Sequence, residues 1–150
     1  MSAKEMQSLG KIESAALLGG ARMEIGFDDG HVAIVDFAPV LEGRKALAPL
    51  KAAREFERVR ISADGWSLEW TCGIDFGAAQ LRRWADEQAG EIMAPAAFRA
   101  WMARHELTQE AAAAALGLSR RMIGYYLSGE KPIPKTVMLA TEGWERRVEA

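Results

Sequence analysis

Arg120 and Arg121 stand side by side within LTQEAAAAALGLSRRMIGYYLSG, residues 107–129. A guanidinium can fork onto guanine O6 and N7 in a DNA major groove, or grip a phosphate. Thr108 and Gln109 upstream, and Lys131 and Lys135 downstream, add donors suited to phosphate oxygens. The other reactive residue types point away from catalysis. His31 and His105 are far apart and belong to no metal-ligand spacing. Cys72 is the only cysteine, so it supports neither an intramolecular disulfide nor a Cys-rich zinc site. With no histidine near it in sequence, it reads as a buried structural thiol. Asp28 and Asp29 precede Gly30 and read as turn residues before acid–base carboxylates. Gly19-Gly20 does not form a phosphate loop. No catalytic residue, cofactor or metal is expected.

The arginines need elements to position them, and the surrounding residues supply two short helices and a tight turn. Thr108 can cap the first helix through its side-chain oxygen. Ala112, Ala113 and Leu116 then fall on one helical face. Gly117 stands where a helix ends in a left-handed residue, Leu118 plugs the corner, and Ser119 caps the next helix. The second helix is expected to bury Ile123 and Tyr126 or Leu127, turning Arg121, Gly124, Tyr125 and Ser128 outward. Met122 can touch a thymine methyl or pack inward. Ala113 is small enough for two steeply crossing helices to touch. This layout fits a helix-turn-helix, whose second helix enters the major groove by its N-terminal residues. The alanines at 111–115 read as a helix driven by propensity, or as a side packed on the first domain or a second subunit.

The same residues resemble the phage-repressor (Cro-type) helix-turn-helix family. Gln109, Ala113, Gly117, Ile123 and Tyr126 fall on its motif positions, as do Leu107-Thr108-Gln109 and Leu116-Gly117-Leu118-Ser119. Ser128-Gly129-Glu130 followed by Pro132 matches its exit from the second helix. The resemblance implies contacts to double-stranded DNA from Thr108, Gln109, Ser119, Arg120, Arg121, Met122, Gly124, Tyr125, Ser128 and Lys131. It also implies a homodimer on paired half-sites. Many relatives carry Gln, Thr, Ser or Lys where this chain has Arg121, Met122, Gly124 and Tyr125, so no operator sequence carries over.

The chain has 150 residues, 27% charged and 49% hydrophobic, which suits an ordinary soluble protein with a real core. Its net charge of −2 argues against nucleic acid until it is divided. Residues 95–150 hold eight Lys/Arg against six acids, and residues 1–94 hold eleven against fifteen. A basic C-terminal part thus follows an acidic N-terminal part. MSAKEMQSLGKIES has no apolar signal core, and no run reaches membrane-spanning length. A reducing cytoplasm and no membrane partner are expected.

The N-terminal part reads as extended from about Leu9 to Val35. Alternating runs flank Asp28-Asp29-Gly30 as a hairpin, and Gly19-Gly20 marks an earlier turn. Residues 39–49 read as irregular apart from one helical turn near Val40, and 51–56 as a short helix. Two strands near 57–61 and 66–70 follow, giving one small sheet. Asp75 or Gly77 then leads into a helix that carries Leu81, Trp84 and Ala85 toward Gly90, and residues 90–95 form a hinge. Phe98, Trp101 and Met102 form the core face of the next helix. After a stiff connector at 131–134, a last helix packs Val137, Met138 and Leu139 or Ala140, with Trp144 beneath and a tail that frays from residue 145. Phe27-Asp28-Asp29-Gly30, Val35-Asp36-Phe37, Leu41-Glu42-Gly43, Phe56-Glu57-Arg58-Val59 and the run from Trp70 through Gly73-Ile74-Asp75-Phe76 resemble the bacterial family called domain of unknown function 2442, over about residues 15 to 85. That resemblance implies a fold but no chemistry.

The expected architecture is α+β. A small, mainly antiparallel-sheet domain at 1–90 is followed by an all-α repressor-like domain at 91–150. The expected function is a non-enzymatic, dimeric transcriptional repressor that binds specific DNA sequences. The alternative is an antitoxin-like protein whose N-terminal domain binds a protein partner, with DNA binding secondary or lost.

Overall fold

The computed structural model describes residues 10–150 and has an α+β fold that divides into two compact units, with the break after Gln88. Leu9, where the extended stretch was expected to begin, lies outside the described residues.

In the first unit, β1 (Ile12–Gly19), β2 (Arg22–Phe27) and β3 (Val32–Asp36) form an antiparallel meander. Period-two alternation sends Met23, Ile25 and Phe27 of β2 into the core with Ala33 and Val35 of β3. Gly19 and Gly20, at φ 102° and 59°, make the first turn in a backbone region other residues avoid. At the second turn Asp29 accepts the His31 amide at 3.0 Å. Asp28 accepts the amides of Gly10 and Lys11 at 2.7 and 3.0 Å. Both carboxylates therefore have structural partners.

Helix α1 (Ala38–Leu41) is the helical turn expected near Val40, and a 3-10 helix (Lys45–Lys51) occupies residues expected to be irregular. Helix α2 (Ala53–Phe56) follows. A second antiparallel sheet contains β4 (Arg60–Ile61), β5 (Ser67–Glu69) and β6 (Asp75–Gly77). Among the described residues this unit thus holds two three-stranded sheets rather than one, and β6 occupies residues expected to lead into the helix. Helix α3 (Ala78–Gln88) closes the unit by burying Leu81 and Ala85. Phe37 is fully buried and meets Phe56, Trp70, Phe76 and Trp84 at centroid distances of 5.4–6.4 Å. A cleft of about 460 Å³ lies between the Gly19-Gly20 turn and α2, with Leu17, Leu41 and Phe56 among its walls. Cys72 is exposed rather than buried. It sits in the β5–β6 turn, which Gly73 closes by donating to the Trp70 carbonyl at 3.0 Å.

The second unit contains α4 (Pro95–Arg104), α5 (Gln109–Leu116), α6 (Arg120–Ser128) and α7 (Lys135–Glu149). It is not all-α. Strand β7 (Ile92–Met93) pairs antiparallel with β8 (Ile133–Pro134), so the expected hinge and connector hydrogen-bond to each other. Phe98, Trp101 and Met102 of α4 pack with Ala112, Ala113, Ile123, Tyr126, Ile133 and Val137. On α7 the buried pair is Val137 and Thr141, whereas Leu139 is 53% exposed. Helical phase turns Leu139 and Ala140 away from the side that buries Val137 and Thr141. Thr141 tolerates burial because its hydroxyl donates to the Met138 carbonyl at 2.6 Å. The tail does not fray at residue 145. Helix α7 runs to Glu149, and Arg104 grips Glu145 through two bonds of 3.2 and 3.0 Å. No helix among the described residues is long and apolar enough to cross a membrane.

Candidate nucleic-acid interface

Helices α5 and α6 are fixed at both ends by short-range chemistry. The Thr108 side chain accepts the Ala111 amide at 3.1 Å, and Ser119 accepts the Met122 amide at 3.1 Å. A capping hydroxyl accepts through a lone pair and keeps its own proton to donate. Gly117 ends α5 in the left-handed region at φ 70°, and Leu118 donates to the Ala113 carbonyl at 2.9 Å. Gly129 ends α6 in the same manner at φ 78°. Ala112 and Ala113 are buried where α5 meets the core, while Ala114 remains exposed.

Ile123 and Tyr126 anchor α6 inside, and burial pushes the Tyr126 phenol above its ordinary pKa. The opposite side presents Arg120, Arg121 and Ser128 to solvent. Tyr125 is half-buried because two cations lie over it. The Arg121 guanidinium is 5.5 Å from its ring centroid, and the Lys131 ammonium 4.7 Å. Arg121 Nε also donates to the Tyr125 hydroxyl at 2.7 Å. One ring therefore gathers two positive charges onto one side of α6.

The remaining expected contacts fall into different surroundings. Thr108 and Gln109 are exposed at the start of α5. Met122 is half-buried against the helical core, which takes the inward choice left open for it. Gly124 is half-buried, and a methyl group added there would meet nothing within 4 Å. Ser128 donates to the Tyr125 carbonyl at 3.2 Å and accepts the Glu130 amide at 3.3 Å, so it serves the end of its own helix.

Two participants were absent from the sequence reading. Arg99 on α4 donates to the Leu127 carbonyl at 2.7 Å. It satisfies a terminal acceptor of α6 with a positive charge, which suits the negative end of a helix. Its partner lies 28 residues away, and no local pattern advertises it. Glu110 on α5 pairs with Arg120 at 3.1 Å. Glu110 was visible in the sequence upstream of the basic pair, but not the approach of the two helix starts.

His105 does join a group of metal-ligating types that linear spacing does not reveal. Its ligand atom and those of Glu145 and Glu149 lie within 4.8 Å of one another. Glu145 is already held by Arg104, whose guanidinium lowers the carboxyl pKa below its ordinary range. His105 Nε2 is 3.4 Å from the same carboxylate and stacks edge-on against Trp144. These contacts tie the end of α4 to α7.

The geometry defines an α+β protein whose second unit displays a capped helix with a basic, aromatic outer side. The chain belongs to the family described as protein of unknown function (DUF2442), which matches residues 12–87. The match includes every residue quoted above for that resemblance and leaves the second unit outside it. Among solved structures, the chain is similar to one named "putative DNA binding protein NE0471" from Nitrosomonas europaea ATCC 19718. The two are 38% identical, with 90% of this chain and 86% of that chain covered, at a TM-score of 0.52. No curated protein matches the chain.

Proposed function

We propose that this protein is a sequence-specific DNA-binding transcriptional repressor that works as a homodimer through its C-terminal unit. One observation carries the reading: two capped helices meet at a left-handed Gly117 and expose Arg120 and Arg121 at the opening turn of the second. That arrangement is the helix-turn-helix layout, with α6 as the helix that enters the major groove. Arg121 then reads a base edge, and Thr108, Gln109 and Lys131 hold phosphates. The name given to the Nitrosomonas relative supports the DNA part of this reading.

A single such helix reads few base pairs, so two copies on half-sites about 34 Å apart supply the affinity. The protein acts by occupying its site in the cytoplasm and performs no reaction of its own. The N-terminal unit serves to assemble the dimer or to engage a partner. Selection of bound sequences from random duplexes, with binding repeated at two salt concentrations, tests the proposal. The expected result is a two-fold symmetric sequence and an affinity that falls steeply with salt. A folded protein that enriches no sequence overturns it.

A further inference from the structure

The starts of α5 and α6 approach closely enough for Glu110, the second residue of α5, to meet Arg120, the first of α6, at 3.1 Å. The two side chains remain 71% and 66% exposed, respectively, so the contact is a surface ion pair that solvent and other ions can reach. Its placement matters more than its strength. Arg120 lies beside the Ser119 cap, on the turn that the DNA-binding reading brings to the duplex. Arg121 rests against the uncharged Tyr125 and can swing outward without exposing an acid. Arg120 has no such liberty. A phosphate that takes its guanidinium leaves an unpaired carboxylate next to the DNA backbone.

We propose that Glu110 is a counter-ligand for Arg120, holding the guanidinium in an ion pair until a DNA phosphate displaces it. The inference rests on the DNA-binding reading above and adds a residue that tunes it. The physical consequence is a lowered affinity and a reduced salt dependence. Each binding event that frees Glu110 makes that carboxylate take up a cation, offsetting one counterion released from the duplex. A purely structural role has the opposite sign. Glu110 is in the first turn of α5, where a carboxylate favours the helix, so its loss would weaken the fold and the binding together.

The test is a double-mutant cycle on the full chain with E110Q, R120Q and both changes, each checked for thermal unfolding. The probe is a short mixed-sequence duplex, with affinity measured across a range of salt. E110Q should bind about two- to fivefold tighter at low salt, the range expected for an exposed ion pair. Its plot of log affinity against log salt should steepen by about one counterion. In the R120Q background the same change should give no gain. Equal tightening in both backgrounds overturns the proposal, because the effect would then be bulk charge alone. Binding by the wild type with E110Q unchanged overturns it and leaves the DNA-binding reading standing. No binding by any of the four proteins overturns both.

Discussion

Asp28, Asp36 and Gln88 of the N-terminal unit are bonded to main chain. Gln88 receives the Asp36 amide and donates to its carbonyl, each at 2.8 Å, which occupies one end of β3. Asp29 is bonded to both the His31 amide and Arg82. On the exposed side of α6 the chemistry differs. Thr108 and Ser119 hold helix ends, but among the described residues the side chains of Arg120, Arg121 and Lys131 reach a carboxylate and a phenol. Those partners can be exchanged for a polyanion without breaking an element. The first unit uses polar groups to hold its shape around an aromatic core, while the second keeps cations available on a side the core does not need. The cleft of the first unit, walled by Leu17, Leu41 and Phe56 together with Glu42, Lys51 and Glu57, contrasts with the cationic helix face of the second.

The contrast is most sharply broken at Phe37. Phe37→Ala should cost the N-terminal unit about 3–5 kcal/mol, the range for emptying a packed aromatic site. Chemical denaturation should show the loss, and NMR cross-peaks of the helical core around Ile123 should stay unchanged. Arg121→Ala should leave stability intact and cost about 1–3 kcal/mol of binding to the selected duplex, with relaxed preference at one base position. Ser119→Ala should lower the stability of the C-terminal unit by about 1 kcal/mol through the lost cap, measured by urea unfolding. Gly124→Ala should raise that stability by about 0.5–1 kcal/mol, because helix propensity improves and the added methyl group meets open space.

A smaller effect follows from acid. Arg104 lowers the Glu145 carboxyl pKa below its ordinary 4.5, so the pair stabilises the fold fully above that value. The contribution is lost as pH falls through the lowered value of the folded state. Arg104→Gln should therefore lower stability slightly at neutral pH and make no difference once the pH is well below the lowered value, which flattens this part of the pH–stability curve.

The features legible in the sequence were those set by neighbouring residues. Thr108, Gly117 and Ser119 announce helix ends because a cap or a left-handed residue is a matter of a few bonds. The β2–β3 hairpin was visible for the same reason, since alternation and Asp28-Asp29-Gly30 act locally. Features that depend on distant partners were not legible. Strand β7 has two residues and exists only because Ile133 returns beside Met93. Strand β6 has three residues, too few for a period to show before α3 begins. Cys72 suggested burial by residue type, but turn geometry placed it outside. Within the candidate interface, the arginines and Tyr125 could be named. The gathering of Arg121 and Lys131 on one ring, the Arg99 cap and the hold of Glu110 on Arg120 required the chain to fold first.

The most direct measurement is an NMR titration of the isotope-labelled full chain with a mixed-sequence DNA duplex. The account predicts that the largest shift changes fall at Thr108 through Ala111 and from Ser119 to Lys131, growing as salt is lowered. Changes concentrated on β1–β3 or around the N-terminal cleft, or no changes at all in a folded sample, would contradict it.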